Sequence, residues 1–261
     1  MDLEAVLNFR RSIRDYQTEN NLDTEKVKHC LEMATLAPNS SNMQLWEFYH
    51  ITDRELIQKM AIASLSQNSV ASANQLVVFV TRGDLYRSRA KQVLNFQREN
   101  IMRNSPPDRH ASRIKKSEKY YGTLMPLVYA KFFGLLGLLR KIITTSISFT
   151  RPMFTNSSEC DQRIVVHKSC ALAAQTFMIA MANEGYDTCA IEGFDSRRVK
   201  KLLNLPCGAE INMLIPCGIR KDDKAIHGER YRIPFDQVYK NIQKILNHSL
   251  SIVVLFHRTE S

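Results

Sequence analysis

The chain is poor in glycine and lacks the glycine-rich motifs that commonly hold a phosphate group. Only 9 of its 261 residues are glycine, and neither GxGxxG nor GxxxxGK[ST] occurs. Both motifs bind phosphate through backbone N–H groups, which glycine allows to come close. If this protein binds a nucleotide, side chains must therefore hold the phosphate.

The cysteine spacing excludes the common metal and redox motifs. None of the six cysteines forms a CxxC pair, and no histidine stands at zinc-finger spacing from them. The sequence shows no Ser-His-Asp order, paired-acid motif or metal-ligand set, so no bound metal is expected. An acidic start without an apolar signal segment predicts a cytoplasmic protein with reduced cysteines.

Negative charge is also scarce relative to positive charge. The 36 lysines and arginines against 26 aspartates and glutamates give a net charge of +10. This excess favours an anionic partner, which can be a nucleotide, a nucleic acid or an anionic membrane face. No nucleic-acid-binding motif is recognisable, so a nucleic-acid partner is not expected.

The most concentrated basic segment is Arg10-Arg11-Ser12-Ile13-Arg14. A guanidinium group presents a planar fork of donors that matches phosphate or carboxylate oxygens. A serine hydroxyl between arginines adds a short donor that can be oriented freely. The segment predicts an anion clamp, and a solvated basic surface is the alternative.

Apolar periodicity predicts an α+β protein. The run 76–80 is apolar throughout, which is typical of a strand buried on both faces. The helix predicted over 163–183 has almost no polar face, so we expect it in a core or an interface. The predicted helices cover 24–34, 54–65, 91–103, 163–183, 197–203 and 235–247, and the predicted strands cover 46–51, 76–80, 211–219 and 252–256.

Without repeats or low-complexity linkers, the sequence predicts one domain over 1–261. It has a helical insertion at about 85–155 and a C-terminal extension at about 248–261. Within the insertion, residues 124–151 are apolar and flanked by Lys131, Arg140, Lys141 and Arg151. We favour a helical excursion packed on the body or on a partner subunit. The alternative is an in-plane helix that gives peripheral contact with an anionic membrane.

Four segments occur together in a characteristic order. The clamp comes first, followed by residues 37–46 (APNSSNMQLW) and 190–195 (AIEGFD), and then by 218–220 (GIR) with 230–234 (RYRIP). In content and order this set resembles the FMN-dependent nitroreductase family. The resemblance covers roughly residues 1–81 and 161–238.

The resemblance implies a nitroreductase-like α+β fold with a central mixed sheet flanked by helices. It also implies a homodimer with FMN at the subunit interface, and the strand at 252–256 would add to the partner's sheet. The activity implied is that of an FMN-dependent oxidoreductase working in two steps. NADH or NADPH reduces FMN and leaves, and a nitroaromatic, a quinone or a related small-molecule acceptor takes the electrons. The alternative is a flavin-binding, membrane-associated protein with little reductase turnover.

The resemblance also assigns the cofactor-binding residues. The phosphate and ribityl chain would contact Arg10, Arg11, Ser12, Arg14, Arg230 and Arg232. The isoalloxazine and ribityl chain would contact Pro38, Asn39, Ser40, Asn42 and Gln44, partly from the other subunit, and also Asn68. Around flavin N5 the family places the backbone at Ile191, Glu192 and Gly193, of which Glu192 and Gly193 carry the catalytic role.

Overall fold

The computed structural model describes residues 2–19, 21–222, 225–226 and 228–242. The chain divides into two compact units, residues 1–226 and residues 227–261, and each is described by itself. The expected single domain therefore stays a prediction. The predicted strand at 252–256 and the extension at 248–261 lie outside the described residues.

Four strands form one sheet in the first unit. They are β1 (Trp46–Ile51), β2 (Gln75–Thr81), β3 (Asp187–Thr188) and β4 (Glu210–Gly218), in the order β1-β2-β4-β3. Each neighbouring pair is antiparallel. The sheet predicted as mixed thus has antiparallel ladders, and parallel pairing enters through an isolated bridge between Ser12 and Thr188.

Helices cover both faces of this sheet. Aspartate side chains at positions 2, 23, 53 and 195 accept hydrogen bonds from the first backbone N–H groups of four helices, as N-caps do. The helices of the first unit are α1 (Leu3–Phe9), α2 (Thr24–Ala34), α3 (Arg54–Ala63), α4 (Asn68–Ala71), α5 (Tyr86–Asn104), α6 (His110–Ser117), α7 (Met125–Tyr129), α8 (Leu135–Ser148), α9 (Glu159–Asn183) and α10 (Ser196–Leu202).

The second unit contains α11 (Phe235–Val238), whose Phe235 ring stacks on Tyr239 at a centroid distance of 5.1 Å. Of the helix predicted over 235–247, residues 235–238 are helical, residues 239–241 are not, and residue 242 is helical again. Residues 243–247 of that prediction lie outside the described residues.

The buried strand β2 places the two cores on opposite sides of the sheet. All seven of its residues are buried, as the apolar run predicts. Val77 and Phe79 pack in the cluster formed with α2 and α9. Leu76, Val78 and Val80 pack in the cluster formed with α3 and α10. The first unit is accordingly a three-layer arrangement of helix, sheet and helix.

The helix α9 is the central helix of the first layer. It begins with a capping box in which Ser158 and Asp161 exchange hydrogen bonds with each other's backbone N–H. Residues such as Phe177 and Met181 are fully buried against the sheet, whereas Ile164 and Leu172 stay exposed. By length and composition α9 could also cross a membrane, but 44% of its most apolar window is buried inside the protein. Its apolar character is that of a core helix with one uncovered side.

Between β2 and α9 the chain forms four helices, α5 to α8, with a π-helical segment at Glu118–Leu124. The last of them, α8, approaches the start of α9 at Gly137. A Cβ atom added there would stand 2.4 Å from the backbone nitrogen of Glu159. The close contact between α8 and α9 therefore requires glycine at this position.

We expect Gly137→Ala to lower the free energy of unfolding by about 1–3 kcal/mol, because the added methyl group forces α8 away from α9. Urea denaturation followed by circular dichroism measures the change. Gly122→Ala is the matched control, since a Cβ at Gly122 meets nothing within 4 Å. That variant should be neutral or more stable by up to about 1 kcal/mol. Equal stability of the two variants would contradict the close contact.

Candidate functional site

The basic segment 10–14 runs along the sheet edge in an extended conformation. Arg10 closes α1 by donating its backbone N–H to the Val6 carbonyl at 3.0 Å. Ile13 is fully buried, and its N–H donates to the Thr188 carbonyl at 3.2 Å. Because side chains alternate along an extended chain, Arg10, Ser12 and Arg14 share the face opposite to Ile13. Arg11 falls at the alternate position, on the Ile13 side.

Arg10, Ser12 and Arg14 all interact with the thiol of Cys189. Burial raises the pKa of this thiol, and Arg14, Ser12 and Arg10 act in the opposite direction. The three side chains therefore lie near the Cys189 thiol, which follows the end of β3. Two guanidinium groups and a hydroxyl beside one strand end form the donor set of an anion site.

A buried ion pair fixes the start of this segment. The Asp187 carboxylate is 2% exposed and accepts hydrogen bonds from the Arg220 side chain at 2.5 Å and from its backbone N–H at 2.7 Å. The same guanidinium donates to the Phe9 carbonyl at 3.2 Å and lies 4.5 Å above the Phe9 ring. Phe9 directly precedes Arg10, so Asp187 and Arg220 determine where the clamp begins. Sequence reasoning gave Asp187 no role, because nothing local indicates that it is buried.

Two side-chain amides at the start of α4 connect the clamp to the turn at 192–193. The Asn68 side chain donates to the Arg14 carbonyl at 3.0 Å and to the Asp15 carboxylate at 3.2 Å. Its neighbour Gln67 donates to the Gly193 carbonyl at 2.8 Å. Asn68 thus holds the clamp backbone, and its direct contact with a cofactor stays a prediction. Gln67 has no sequence motif that would have identified it.

The turn at 191–193 presents its backbone at the surface. Ile191 is buried and exchanges hydrogen bonds with Leu214 of β4 at 2.8 and 3.0 Å. Glu192 and Gly193 are exposed. A Cβ at Gly193 would meet only the Gln67 amide, at an ordinary 3.5 Å. Since the fold does not require glycine there, its absent side chain leaves room for a ligand to approach the backbone.

The loop at 38–44 has a strained backbone. Ser41, Asn42 and Gln44 all have positive φ, between 48° and 53°, which is uncommon for residues other than glycine. The Asn39 side chain accepts the Gln44 backbone N–H at 2.9 Å, and the Gln44 side chain donates to the Asn42 carbonyl at 3.3 Å. Pro38 and Ser40 complete the predicted set and are exposed. Strain of this kind is often found at functional sites.

Neighbouring elements hold this loop in place. The Ser40 N–H donates to the Ser169 hydroxyl of α9 at 3.3 Å. The Tyr121 hydroxyl donates to the Ser41 carbonyl at 3.1 Å, and the Tyr120 and Ser41 hydroxyls are 2.8 Å apart. Both tyrosines belong to the insertion, and no sequence motif indicated that they reach the loop.

An open cavity of about 290 Å³ lies beside the loop. Asn42 and Gln44 line one side of it, and α5 provides the other side through Arg89, Val93 and Phe96. Polar loop atoms therefore face a partly apolar wall, a combination that suits a flat aromatic ligand.

Arg230 and Arg232 belong to the second unit. The Arg232 guanidinium donates to the Tyr231 carbonyl at 2.7 Å. Their meeting with Arg10 and Arg14 at one phosphate stays a prediction.

The residues of the first unit fit FMN by their chemistry. Arg10, Ser12 and Arg14 supply cationic and hydroxyl donors for a phosphate monoester, which carries about −1.5 to −2 charges near neutral pH. Gly193 leaves a backbone that a flat ring can approach. A buried strand end and two side-chain amides hold these groups in place.

Comparisons with known proteins agree with this description. The model of the nitroreductase family matches residues 7–219. MhqN of Bacillus subtilis, assigned as an NAD(P)H nitroreductase, is 22% identical over 232 residues, which are 89% of this chain and 95% of that protein. The oxygen-insensitive NADPH nitroreductase of Helicobacter pylori is 23% identical over 199 residues, 76% of this chain and 77% of that protein.

Solved structures share the fold. A protein of Exiguobacterium sibiricum, crystallised in complex with FMN, superposes with a TM-score of 0.66 at 19% identity. The superposition covers 92% of this chain and 97% of that chain.

Proposed function

This chain belongs to the nitroreductase family, and from that premise we propose that it carries electrons from NADH or NADPH to a nitroaromatic, a quinone or a related acceptor. The family makes it an FMN-dependent oxidoreductase. Bound FMN supplies the hydride and electron chemistry, whereas the protein supplies position and electrostatics. A cytoplasmic location is part of the same proposal.

In this proposal the clamp binds the phosphate of FMN. Arg10, Ser12 and Arg14 would donate hydrogen bonds to its oxygens, and the family resemblance implies Arg11, Arg230 and Arg232 as further phosphate contacts. Hydrogen bonds to charged groups contribute about 1.5–3 kcal/mol each. Several of them hold a phosphate tightly without any glycine-rich loop.

The turn at 192–193 would lie at the reactive edge of the ring. Backbone N–H groups at Glu192 and Gly193 would donate towards flavin N5, and Gln67 keeps the turn in position through the Gly193 carbonyl. Donors fixed before the reaction stabilise the negative charge that the ring gains on reduction. Ile191 anchors this turn to β4 through its hydrogen bonds with Leu214.

We propose a homodimer with FMN between the subunits. The loop at 38–44 is held by α9 and the insertion, whereas the clamp is held by β3, Arg220 and Asn68, so the two groups are separately anchored. A second copy of the chain would bring its loop against the clamp and the 192–193 turn. Sedimentation of the flavin-loaded protein as a monomer would contradict this arrangement.

The placement of Arg10, Ser12 and Arg14 on one face of a segment that is joined to the 192–193 turn through Asn68 and Gln67 carries the proposed function. We expect the purified protein to be yellow, or to become yellow with added FMN, with flavin absorption bands that NADH or NADPH bleaches. Adding a quinone or a nitroaromatic compound should restore the bands. A colourless protein that binds no added FMN would contradict the proposal, and bound FMN that neither donor reduces would contradict the electron-transfer part.

A further inference from the structure

The helix α8 turns its polar face towards the protein and its apolar face outwards. Gly137, Arg140 and Thr144 lie on the side that contacts the rest of the first unit, together with the half-buried Leu136 and Ile147. The helix of a globular protein normally does the reverse. The exposed apolar side chains of α8 are Leu135, Leu138, Leu139, Ile142 and Ile143.

Specific hydrogen bonds fix this orientation. The Arg140 guanidinium donates to the carbonyls of Ser157, Leu127 and Ala130 at 2.9–3.0 Å. The Thr144 and Ser157 hydroxyls are 2.8 Å apart. Arg140 is therefore an internal anchor. The sequence had suggested that it flanks the outer apolar face, and this expectation was wrong. Rotating α8 to bury its leucines would break all of these contacts.

Aromatic residues extend the apolar face at both ends of α8. Phe133 is 99% exposed and Phe149 is 85% exposed. The full surface, here called the α8 face, comprises Phe132, Phe133, Leu135, Leu138, Leu139, Ile142, Ile143, Phe149, Met153 and Phe154. An exposed apolar patch of this size marks a protein or membrane contact.

The Phe132–Phe133 turn is held in its exposed position. Phe133 has a φ of +46°, which is strained for a bulky residue. The Glu159 carboxylate accepts the N–H groups of Phe132 at 2.9 Å and of Gly134 at 3.0 Å. The chain therefore maintains a strained turn that presents an aromatic side chain entirely to the outside.

The charged side chains of α8 and of the segments that flank it in the chain are all positive. Residues 119–158 contain Lys119, Lys131, Arg140, Lys141 and Arg151, and no aspartate or glutamate. The nearest carboxylates that follow have internal partners, Glu159 in the Phe132 turn and Asp161 in the capping box of α9. Two exposed cations, Lys141 and Arg151, thus border the α8 face, and no acidic side chain belongs to that face.

We propose that the α8 face docks on an anionic lipid bilayer. Its leucines, isoleucines and phenylalanines enter the boundary between headgroups and acyl chains, and Lys141 and Arg151 reach the lipid phosphates. A symmetric contact of this face with a second copy would instead bring the same cations of both copies together without carboxylates between them. The charge pattern therefore favours the bilayer over a contact between the α8 faces of two copies.

Vesicle flotation of the purified full-length protein tests the proposal. The wild-type protein should float with vesicles of phosphatidylcholine and phosphatidylglycerol, and much less with phosphatidylcholine alone. Leu138→Gln combined with Ile142→Gln should lower the partition coefficient by at least about tenfold on anionic vesicles. Lys141→Gln combined with Arg151→Gln should lower it by roughly fivefold per charge on anionic vesicles only.

Ile62→Gln is the matched control, because Ile62 is a comparably exposed isoleucine on α3. It should float like the wild type. Circular dichroism melting checks that each variant is folded. Failure of the wild type to float would overturn the proposal, as would equal flotation of all variants. A change of oligomeric state in the Leu138 and Ile142 variant, without vesicle binding by the wild type, would assign the face to a contact between copies instead. None of these outcomes depends on bound flavin.

Discussion

Replacing both Arg10 and Arg14 with alanine is expected to weaken FMN binding by roughly 10²- to 10⁴-fold, since each lost charged hydrogen bond costs about 1.5–3 kcal/mol. The fold should persist, because Ile13 keeps the segment in the core and its backbone bond to Thr188 does not involve either side chain. Fluorescence titration of the flavin-free protein with FMN measures the loss. Circular dichroism shows whether the secondary structure is retained.

The control for this experiment removes the same charge elsewhere. Lys28 and Lys59 are exposed helix residues with surface ion pairs on α2 and α3. Their double alanine variant should bind FMN within about twofold of the wild type, because exposed pairs contribute little. If the arginine variant stayed yellow through gel filtration, or if both variants lost flavin equally, the clamp would not be the phosphate site.

Asp187→Ala is expected to lower the free energy of unfolding by about 3 kcal/mol. Removing one member of a buried ion pair leaves the other charge without its partner in a poorly hydrated place. The Arg220 guanidinium would then keep its contacts with Phe9, which carry no negative charge. Urea denaturation measures the loss of stability, and FMN titration under native conditions should show weaker binding, because the start of the clamp is no longer fixed.

An exposed ion pair provides the comparison. Glu99 and Arg103 are four residues apart on α5, 3.5 Å from each other and well exposed. Glu99→Ala should change the unfolding free energy by less than about 0.5 kcal/mol. A similar small change in Asp187→Ala would contradict the structural role assigned to the buried pair.

The sequence predicted correctly those elements whose own apolar pattern determines whether they are buried. The unbroken run in β2 predicted a strand buried on both faces, and the structure confirms it. The missing polar face of α9 predicted burial, and one side of α9 is indeed core. In both cases local composition determines what the element can pack against, so no long-range information is needed.

The sequence could not predict contacts between distant segments. Asp187 and Arg220 are 33 residues apart along the chain, and their burial arises only once β3 and β4 pair. Tyr120 and Tyr121 reach Ser41 across about 80 residues. The reversed faces of α8 were equally hidden, since periodicity shows an apolar side without showing which way it points. The residues predicted to bind FMN keep that status, and the structure adds the supports that hold them.

The tyrosine contacts of the insertion have a consequence for protein engineering. Ser41, Asn42 and Gln44 keep their unfavourable backbone angles only while neighbouring groups compensate for them, and two of those groups come from the segment that also leads into α8. Deleting this segment, or exchanging it for the corresponding stretch of a relative, would let the loop relax as well. Lipid contact and cofactor retention should therefore be separated by point substitutions on the outer side of α8, because a chimaeric chain would change both at once.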